Sequence, residues 1–359
     1  MPEITVRKEM PDVALTRDTF ARRMRERFRD PGFEPLSAEV ERIIETAWQA
    51  YDDGRKAPHT RPAGPGYADP SYELSVDWIE ASRRIKEAER RQKDASSPPR
   101  ILLINGAARS EHTCPGETSK TWRLAMAAND IFAHESQFEI ETLDLSRLTS
   151  EYGRNIHPCK TCVSTAMPLC HWPCSCYPNH SLGQVQDWMN DIYPMWTAAH
   201  GIMIVCPVNW YQTPSVLKLM IDRLVCADGG NPDPTSTHGK DAARAKEIEL
   251  AGWPYPRHLA GRVFSVIVHG DATGVEAVHT ALSQWLNDMG LLEAGRFSQV
   301  ARYIGYMKPY ARSHDDLDAD HALHEEVQNA ARSLMRAVTM MRRGELHQPD
   351  HDVREPRPK

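Results

Sequence analysis

The sequence predicts an α/β protein: a doubly wound, five-stranded parallel sheet of order 2-1-3-4-5 behind an α-helical N-terminal extension. Three observations carry this. From Arg100 onward, short apolar runs alternate with amphipathic stretches of helical length, as in successive βαβ units. Before Pro99 the chain reads instead as charged helices separated by breakers. Ser96-Ser97-Pro98-Pro99 divides the two textures. The chain therefore parses into an extension (1–98) and a sheet domain (99–344) carrying a cysteine-rich insertion (150–180). A charged, Pro-rich tail (345–359) is expected to be disordered.

In the extension, a first helix over about 16–28 sets arginines around a few apolar residues. A second is expected from Ser37, as its N-cap, through Val40, Ile43, Ile44, Ala47 and Tyr51 until Asp53-Gly54 stops it. That apolar face needs a partner, either the core or a neighbouring subunit. A Pro- and Gly-rich stretch over 57–70 separates it from a third helix over about 72–95. Strand candidates follow at 101–105, 138–143, 201–206 and 262–269, with a last one within 295–306. The intervening helices fall at about 118–132, 182–198, 214–225 and 275–289. A final helix places Leu323, Val327, Ala330, Leu334, Val338 and Met341 on one face. In a doubly wound sheet, ligand binds beyond the carboxyl ends of the strands at the switch point, so the loops after strands one, three and four are the candidate site.

Composition removes several classes of partner. Lys and Arg number 43 against 49 Asp and Glu, a net charge of −6, and the two signs are interspersed. A nucleic-acid partner held by phosphate neutralisation is therefore not expected. No apolar run approaches the roughly 20 residues that cross a bilayer, so no membrane partner is expected either. The opening MPEITVRKEMPDVAL lacks the pattern of a secretory signal, which gives a cytoplasmic expectation. Eight cysteines in 359 residues are too few for a disulfide scaffold and are expected to be reduced.

The first loop, NGAARSEHTCPGETSKTWRLA from Asn105, leads from a strand into a helix and suits an anionic group. Helix N-terminal amides attract a phosphate. Arg109, Ser110, Thr118, Ser119 and Thr121 add donors and Lys120 a charge. The loop is neither a GxxxxGKS/T nor a GxGxxG pattern, which disfavours a P-loop nucleotidase and a dinucleotide-binding domain. A hydroxyl-rich helix cap with a solvated arginine is the plain alternative. In the second loop, Thr213-Pro214 reads as an N-cap followed by a first-turn proline. Ahead of it, Pro207, Val208, Asn209, Trp210 and Tyr211 offer backbone amides and two rings to a flat heteroaromatic ligand, unless those rings merely pack. The third loop, with His269, Gly270 and Asp271, reaches the same place from the other side, or is turn chemistry alone.

Five thiols crowd one segment: Cys159, Cys162, Cys170, Cys174 and Cys176. CxxC is a common metal-ligand pair, and four of the five are enough for a 4Fe-4S cluster or a structural zinc ion. Reduced, buried thiols, or pairs that close a reversible disulfide, are the alternatives. Cys114, Cys206 and Cys226 read as packing residues. The long stretch from Cys226 to His258 is expected to be a lid, with His238, Trp253 or Tyr255 lining a substrate pocket, or an oligomer contact.

Asn105-Gly106 through Arg109, Thr118-Ser119-Lys120, Pro207-Val208-Asn209-Trp210 and Leu217-Lys218-Leu219-Met220-Ile221-Asp222-Arg223 resemble the NADPH-dependent FMN reductase branch of flavodoxin-like proteins. The resemblance spans about 100–306 and leaves the extension outside. It implies a flavodoxin-like fold, FMN with its phosphate in the first loop and its isoalloxazine along the second, and NAD(P)H as co-substrate. It also implies a small-molecule electron acceptor (quinone, flavin, azo or nitro compound) and a homodimer or homotetramer. No obligatory catalytic acid is demanded. Ala107-Ala108 stand where Ser-Pro often precede the arginine, and His112 to Glu117 are an insertion. An iron–sulfur flavoprotein or one-electron carrier, and a non-catalytic flavin-binding or assembly protein, are the rival readings.

Overall fold

A computed structural model describes residues 4–346; the tail over 347–359 lies outside the described residues. The extension holds α1 (Arg17–Arg25), α2 (Ser37–Asp52), β1 (Thr60–Pro62), β2 (Glu73–Ser75) and α3 (Val76–Lys93). The Thr16 hydroxyl caps α1 by accepting from the Thr19 amide. Ser37 does not cap α2. A 3₁₀ turn over 31–36 runs straight into the helix, so the cap position falls to Leu36 and the Ser37 hydroxyl donates to the Glu34 carbonyl. α1 and α2 clasp through Phe20, Trp48 and Tyr51, whose ring centroids lie 5.0 to 5.5 Å apart. β1, inside the breaker-rich stretch, pairs antiparallel with β2, which takes up residues read as the start of the third helix.

The sheet domain comprises β3 (Arg100–Asn105), α4 (Lys120–Ala133), β4 (Glu139–Asp144), α5 (Arg147–Ser150), α6 (Met189–Ala198), β5 (Gly201–Pro207) and α7 (Ser215–Arg223). It continues with α8 (Ala242–Leu250), β6 (Val263–Gly270), α9 (Val275–Asp288), β7 (Leu292–Glu293), β8 (Gln299–Tyr303), α10 (Ser313–Ala319) and α11 (His321–Arg342). Every pairing is parallel, in the order β4-β3-β5-β6, with the far edge of β6 filled first by β7 and then by β8. Several helices start later than expected, α3 at Val76 and α4 at Lys120 among them. α6 begins at Met189 because the preceding chain turns back at Gly183, in the left-handed region, where Asn179 pairs with Gln184. α7 begins at Ser215: Pro214 is extended at ψ 146° and occupies the cap position, which leaves the Thr213 hydroxyl one residue too early.

Strand alternation divides the core cleanly, since successive side chains point to opposite faces. Leu102, Ile104, Ile202, Ile204, Val266 and Val268 pack on the α6, α7 and α9 side. Ile101, Leu103, Met203, Val205, Val263 and Ile267 pack with residues of α4 and α11 on the other.

The extension is stitched to two remote segments. α3 lays Ile85 into the α6-side core, and the Trp78 indole donates to the Pro173 carbonyl at 2.8 Å. The Ser181 amide donates to the Arg55 carbonyl at 2.8 Å, and the Ala68 amide to the Asp233 carboxylate at 2.7 Å. Val40 and Ile44 of α2 are buried, whereas Ile43 is exposed. The segment 226–258 packs on the insertion: the Asn231 amide donates to the Cys170 carbonyl at 2.7 Å and the Met167 amide to the Glu249 carboxylate at 3.0 Å, while the Trp253 indole and the Tyr255 hydroxyl bond within the segment, to the Gly229 carbonyl and Glu249.

Among the described residues, no helix is long and apolar enough to cross a membrane.

Candidate functional site

The carboxyl ends of β3, β5 and β6 open into one cleft of about 1170 Å³. Its first wall follows β3. The Gly106 amide donates to the Val205 carbonyl, and a Cβ on Gly106 would stand 3.0 Å from Leu217 and 3.1 Å from that carbonyl oxygen, so glycine lets the loop leave the sheet against β5. The Asn105 side chain donates to Asp144 and accepts from the Ala107 amide, and the Thr149 hydroxyl donates to the Ala108 carbonyl. α4 then starts with Ser119 as N-cap, its hydroxyl accepting from the Trp122 amide. The first-turn amides of α4 have no acceptor inside the helix and face the cleft end of the dipole.

Twelve of the fourteen residues expected to hold cofactor line this cleft: Arg109, Ser119, Lys120, Thr121, Pro207, Val208, Asn209, Trp210, Tyr211, His269, Gly270 and Asp271. Ser110 and Thr118 do not. The Ser110 hydroxyl accepts from the His112 amide inside the inserted turn, and the Thr118 hydroxyl donates to Glu111. Both are spent on local geometry.

The charges of the first loop are paired. Arg109 bonds Glu117, and Lys120 lies 3.4 Å from Asp271, with only 14% of its side chain exposed. Arg109 is exposed, so its ion pair is a weak, salt-screened contact that a ligand can exchange. His269 is fully enclosed; its Nε2 shares a 2.8 Å hydrogen bond with the Thr121 hydroxyl. Burial, reinforced by the Lys120 charge, pushes its pKa down to about 3, so the ring is neutral and fixes the start of α4 to β6.

The second loop is a two-residue turn closed by reciprocal backbone bonds between Asn209 and Gln212, at 2.9 and 3.0 Å. Trp210 and Tyr211 occupy its centre with φ of 47° and 65°. Such turns favour Asn-Gly, and two bulky residues there store strain of about 1–3 kcal/mol each. They are also open: Trp210 is 93% exposed and Tyr211 59%. Gly274, at φ 120°, sits so close beneath that a Cβ would stand 3.2 Å from Tyr211 Cα. The Val208 amide donates to the His269 carbonyl, locking loops two and three together.

A fourth wall comes from beyond β8, where Tyr310, Ala311, Ser313 and His314 line the cleft. His314 Nε2 lies 3.4 Å from Glu117, and its Nδ1 lies 3.1 Å from Arg123. This wall was missed because its residues form no motif. Cys114, read as packing, is exposed and lines the cleft as well.

The metal reading of the cysteines finds no support in the geometry. Among the described residues, no group of three His, Cys, Asp or Glu side chains is arranged to hold a metal ion, and none of Cys159, Cys162, Cys170, Cys174 and Cys176 lines the cleft. The thiols have cations for neighbours: the Lys240 ammonium lies 3.6 Å from Cys162 Sγ, and the charge of the buried Arg223 guanidinium, paired with Asp187, acts on Cys174. Burial pushes Cys170 well up, and the hydrogen bond that the Cys174 thiol gives Cys176, with burial, does the same for Cys174. The lid expectation fails too, since His238, Trp253 and Tyr255 do not line the cleft.

The NADPH-dependent FMN reductase family matches residues 99–302, more than half of the chain. No curated protein matches. Among solved structures, RosB with the bound intermediate 8-demethyl-8-formylriboflavin-5'-phosphate shares 14% identity over 69% of this chain and 82% of its own, with a TM-score of 0.48. An NAD(P)H:quinone oxidoreductase from Methanothermobacter marburgensis shares 15% over 70% and 98%, at 0.35. An azoreductase from Bacillus anthracis str. Sterne shares 11% over 65% and 99%, at 0.36. With the parallel sheet and with a family match that runs from β3 to β8, the chain belongs to the NADPH-dependent FMN reductase family and is a flavin-dependent oxidoreductase.

Proposed function

We propose that the protein holds FMN in this cleft and passes electrons from NAD(P)H to a small acceptor such as a quinone, free flavin, azo or nitro compound. The observation that carries the reading is the strained, open Trp210-Tyr211 turn set across from the N-terminus of α4 in one cleft. The donor set fits the cofactor. The Lys120 and Thr121 amides at the start of α4, the Ser119 and Thr121 hydroxyls and the Lys120 charge suit a phosphate, and Arg109 can turn from Glu117 to join them. Pro207 to Tyr211 and Gly270-Asp271 offer flat backbone and an aromatic edge to a ring system. When bound, FMN supplies hydride acceptance at N5 and electron delivery to the acceptor.

The chain's own part is to bind, orient and shield. Neutral His269 keeps Thr121 and the α4 terminus in place, while the Asn209–Gln212 bonds hold the aromatic turn away from the sheet. No side chain is required as a proton donor. A homodimer or homotetramer accords with exposed Trp210, Tyr306, Met307 and Tyr310 around the loops. Anaerobic mixing of FMN-loaded protein with NADPH tests the reading: bleaching of the flavin band within seconds is expected, and a band unchanged over minutes with both NADPH and NADH contradicts it.

A further inference from the structure

Away from the cleft, the insertion brings Cys162 Sγ within 3.6 Å of Cys176 Sγ. Lys240, from the turn before α8, points its Nζ at the same thiol from 3.6 Å and is held there by a second bond to the Leu169 carbonyl. Three separate stretches of chain thus converge on one sulfur pair. Cys162 is half-buried and Cys176 is buried.

We propose that Cys162 and Cys176 form a redox-active dithiol in which Cys162 attacks a peroxide and Cys176 closes the disulfide. Roles follow from the neighbours. A hydrogen bond from the Cys176 thiol, helped by the Lys240 charge against the cost of burial, brings the Cys162 pKa down to about 7, while burial and thiol–thiol bonding keep Cys170 and Cys174 protonated. Cys162 is therefore the thiolate. Against an ordinary thiol at pH 7, it gains about fifteenfold in ionised fraction and loses about fivefold in intrinsic nucleophilicity, a net advantage of about threefold.

The chemistry balances in two steps. The Cys162 thiolate attacks one peroxide oxygen and the O–O bond breaks, giving a sulfenic acid and hydroxide, which takes a proton from solvent. The Cys176 sulfur then attacks the Cys162 sulfur; the S–O bond breaks, and water leaves with the thiol proton. Two thiols and one hydrogen peroxide become one disulfide and two waters. A small dithiol reductant reverses the change by thiol–disulfide exchange.

The test uses the full chain, reduced and then treated with hydrogen peroxide, with free thiols alkylated before peptide mass spectrometry. A Cys162–Cys176 crosslink that dithiothreitol reverses is expected, together with an alkylation midpoint for Cys162 near pH 7. Cys176→Ser should leave Cys162 as a sulfenic acid trapped by dimedone, and Lys240→Gln should raise the midpoint and slow the peroxide reaction severalfold at pH 7. Three results would overturn the proposal: both thiols still alkylated after peroxide while exposed Cys114 is oxidised, a Lys240→Gln midpoint equal to wild type, or anaerobically purified protein that releases Cys162 for alkylation only when a chelator strips stoichiometric zinc or iron. The wild-type crosslink and metal content require no variant to fold.

Discussion

Trp210 stands 93% exposed on a strained turn over the cleft, whereas Trp172, in the insertion, is buried with its ring stacked 4.1 Å from that of His258. The contrast extends to charge. At the cleft, Arg109 and Glu117 pair in the open; against the insertion, Arg223 at the end of α7 and Asp187 pair with 2% and 1% of their side chains exposed, and Arg223 also donates to the His157 carbonyl and lies over the Tyr177 ring. One region keeps its polar and aromatic groups available to a ligand. The other uses equivalent groups to bind distant stretches of chain together. Burial and closure, more than residue type, separate a binding site from a brace.

Breaking the brace should have the largest effect. Arg223→Met leaves Asp187 buried and unpaired, so a loss of about 3–5 kcal/mol is expected, read as a fall in the urea midpoint at unchanged slope. A change below about 1 kcal/mol would remove the distinction between the two regions. On the cleft side, Lys120→Ala should weaken FMN binding by about 10- to 100-fold while moving the unfolding midpoint little, since a charge-assisted hydrogen bond is worth about 1.5–3 kcal/mol.

Acid should expose the His269 contact. Its folded pKa of about 3 lies below the unfolded 6.5, so between those values the unfolded chain binds the extra proton. Stability is therefore unaffected by this group above pH 6.5 and falls as pH drops through the window, by up to about 1.4 kcal/mol per pH unit. His200 and His258, both lowered to about 4 mainly by burial, add in the same direction. Measured as unfolding free energy at pH 7, 6 and 5, His269→Asn should flatten the slope by roughly one proton; an unchanged slope would show that His269 is not buried neutral.

The smallest expected effect sharpens the comparison through opposite signs. Trp210→Gly relieves a left-handed backbone and should raise the unfolding free energy by up to about 1 kcal/mol while lowering reductase turnover. Loss of stability with full turnover would make Trp210 part of the brace.

Legibility followed the same divide. β3, β5 and β6 are fully buried along nearly all their length, and Ser119 at a helix start announces an anion site, so strands, helices and twelve cleft residues could be read from local pattern. What escaped depends on tertiary distance. Ser110 and Thr118 carry the right hydroxyls, yet nearby turns take them. Trp210-Tyr211 breaks the Asn-Gly rule for its turn, so sequence marked the rings but not the conformation. Tyr310 and His314 reach the cleft from a segment without periodicity, and no spacing rule foretells that Lys240 meets Cys162. The extension left its apolar face readable but not its partners, α1 and the insertion.

The central claim is that the N-terminus of α4 receives the FMN phosphate. Its most direct test is the ratio of dissociation constants for riboflavin and FMN, measured by flavin fluorescence titration of wild type and Lys120→Ala. Wild type is expected to prefer FMN by at least about tenfold, and the variant to lose most of this preference while binding riboflavin as before. Equal affinity of wild type for the two flavins, or a ratio untouched by the substitution, would contradict it.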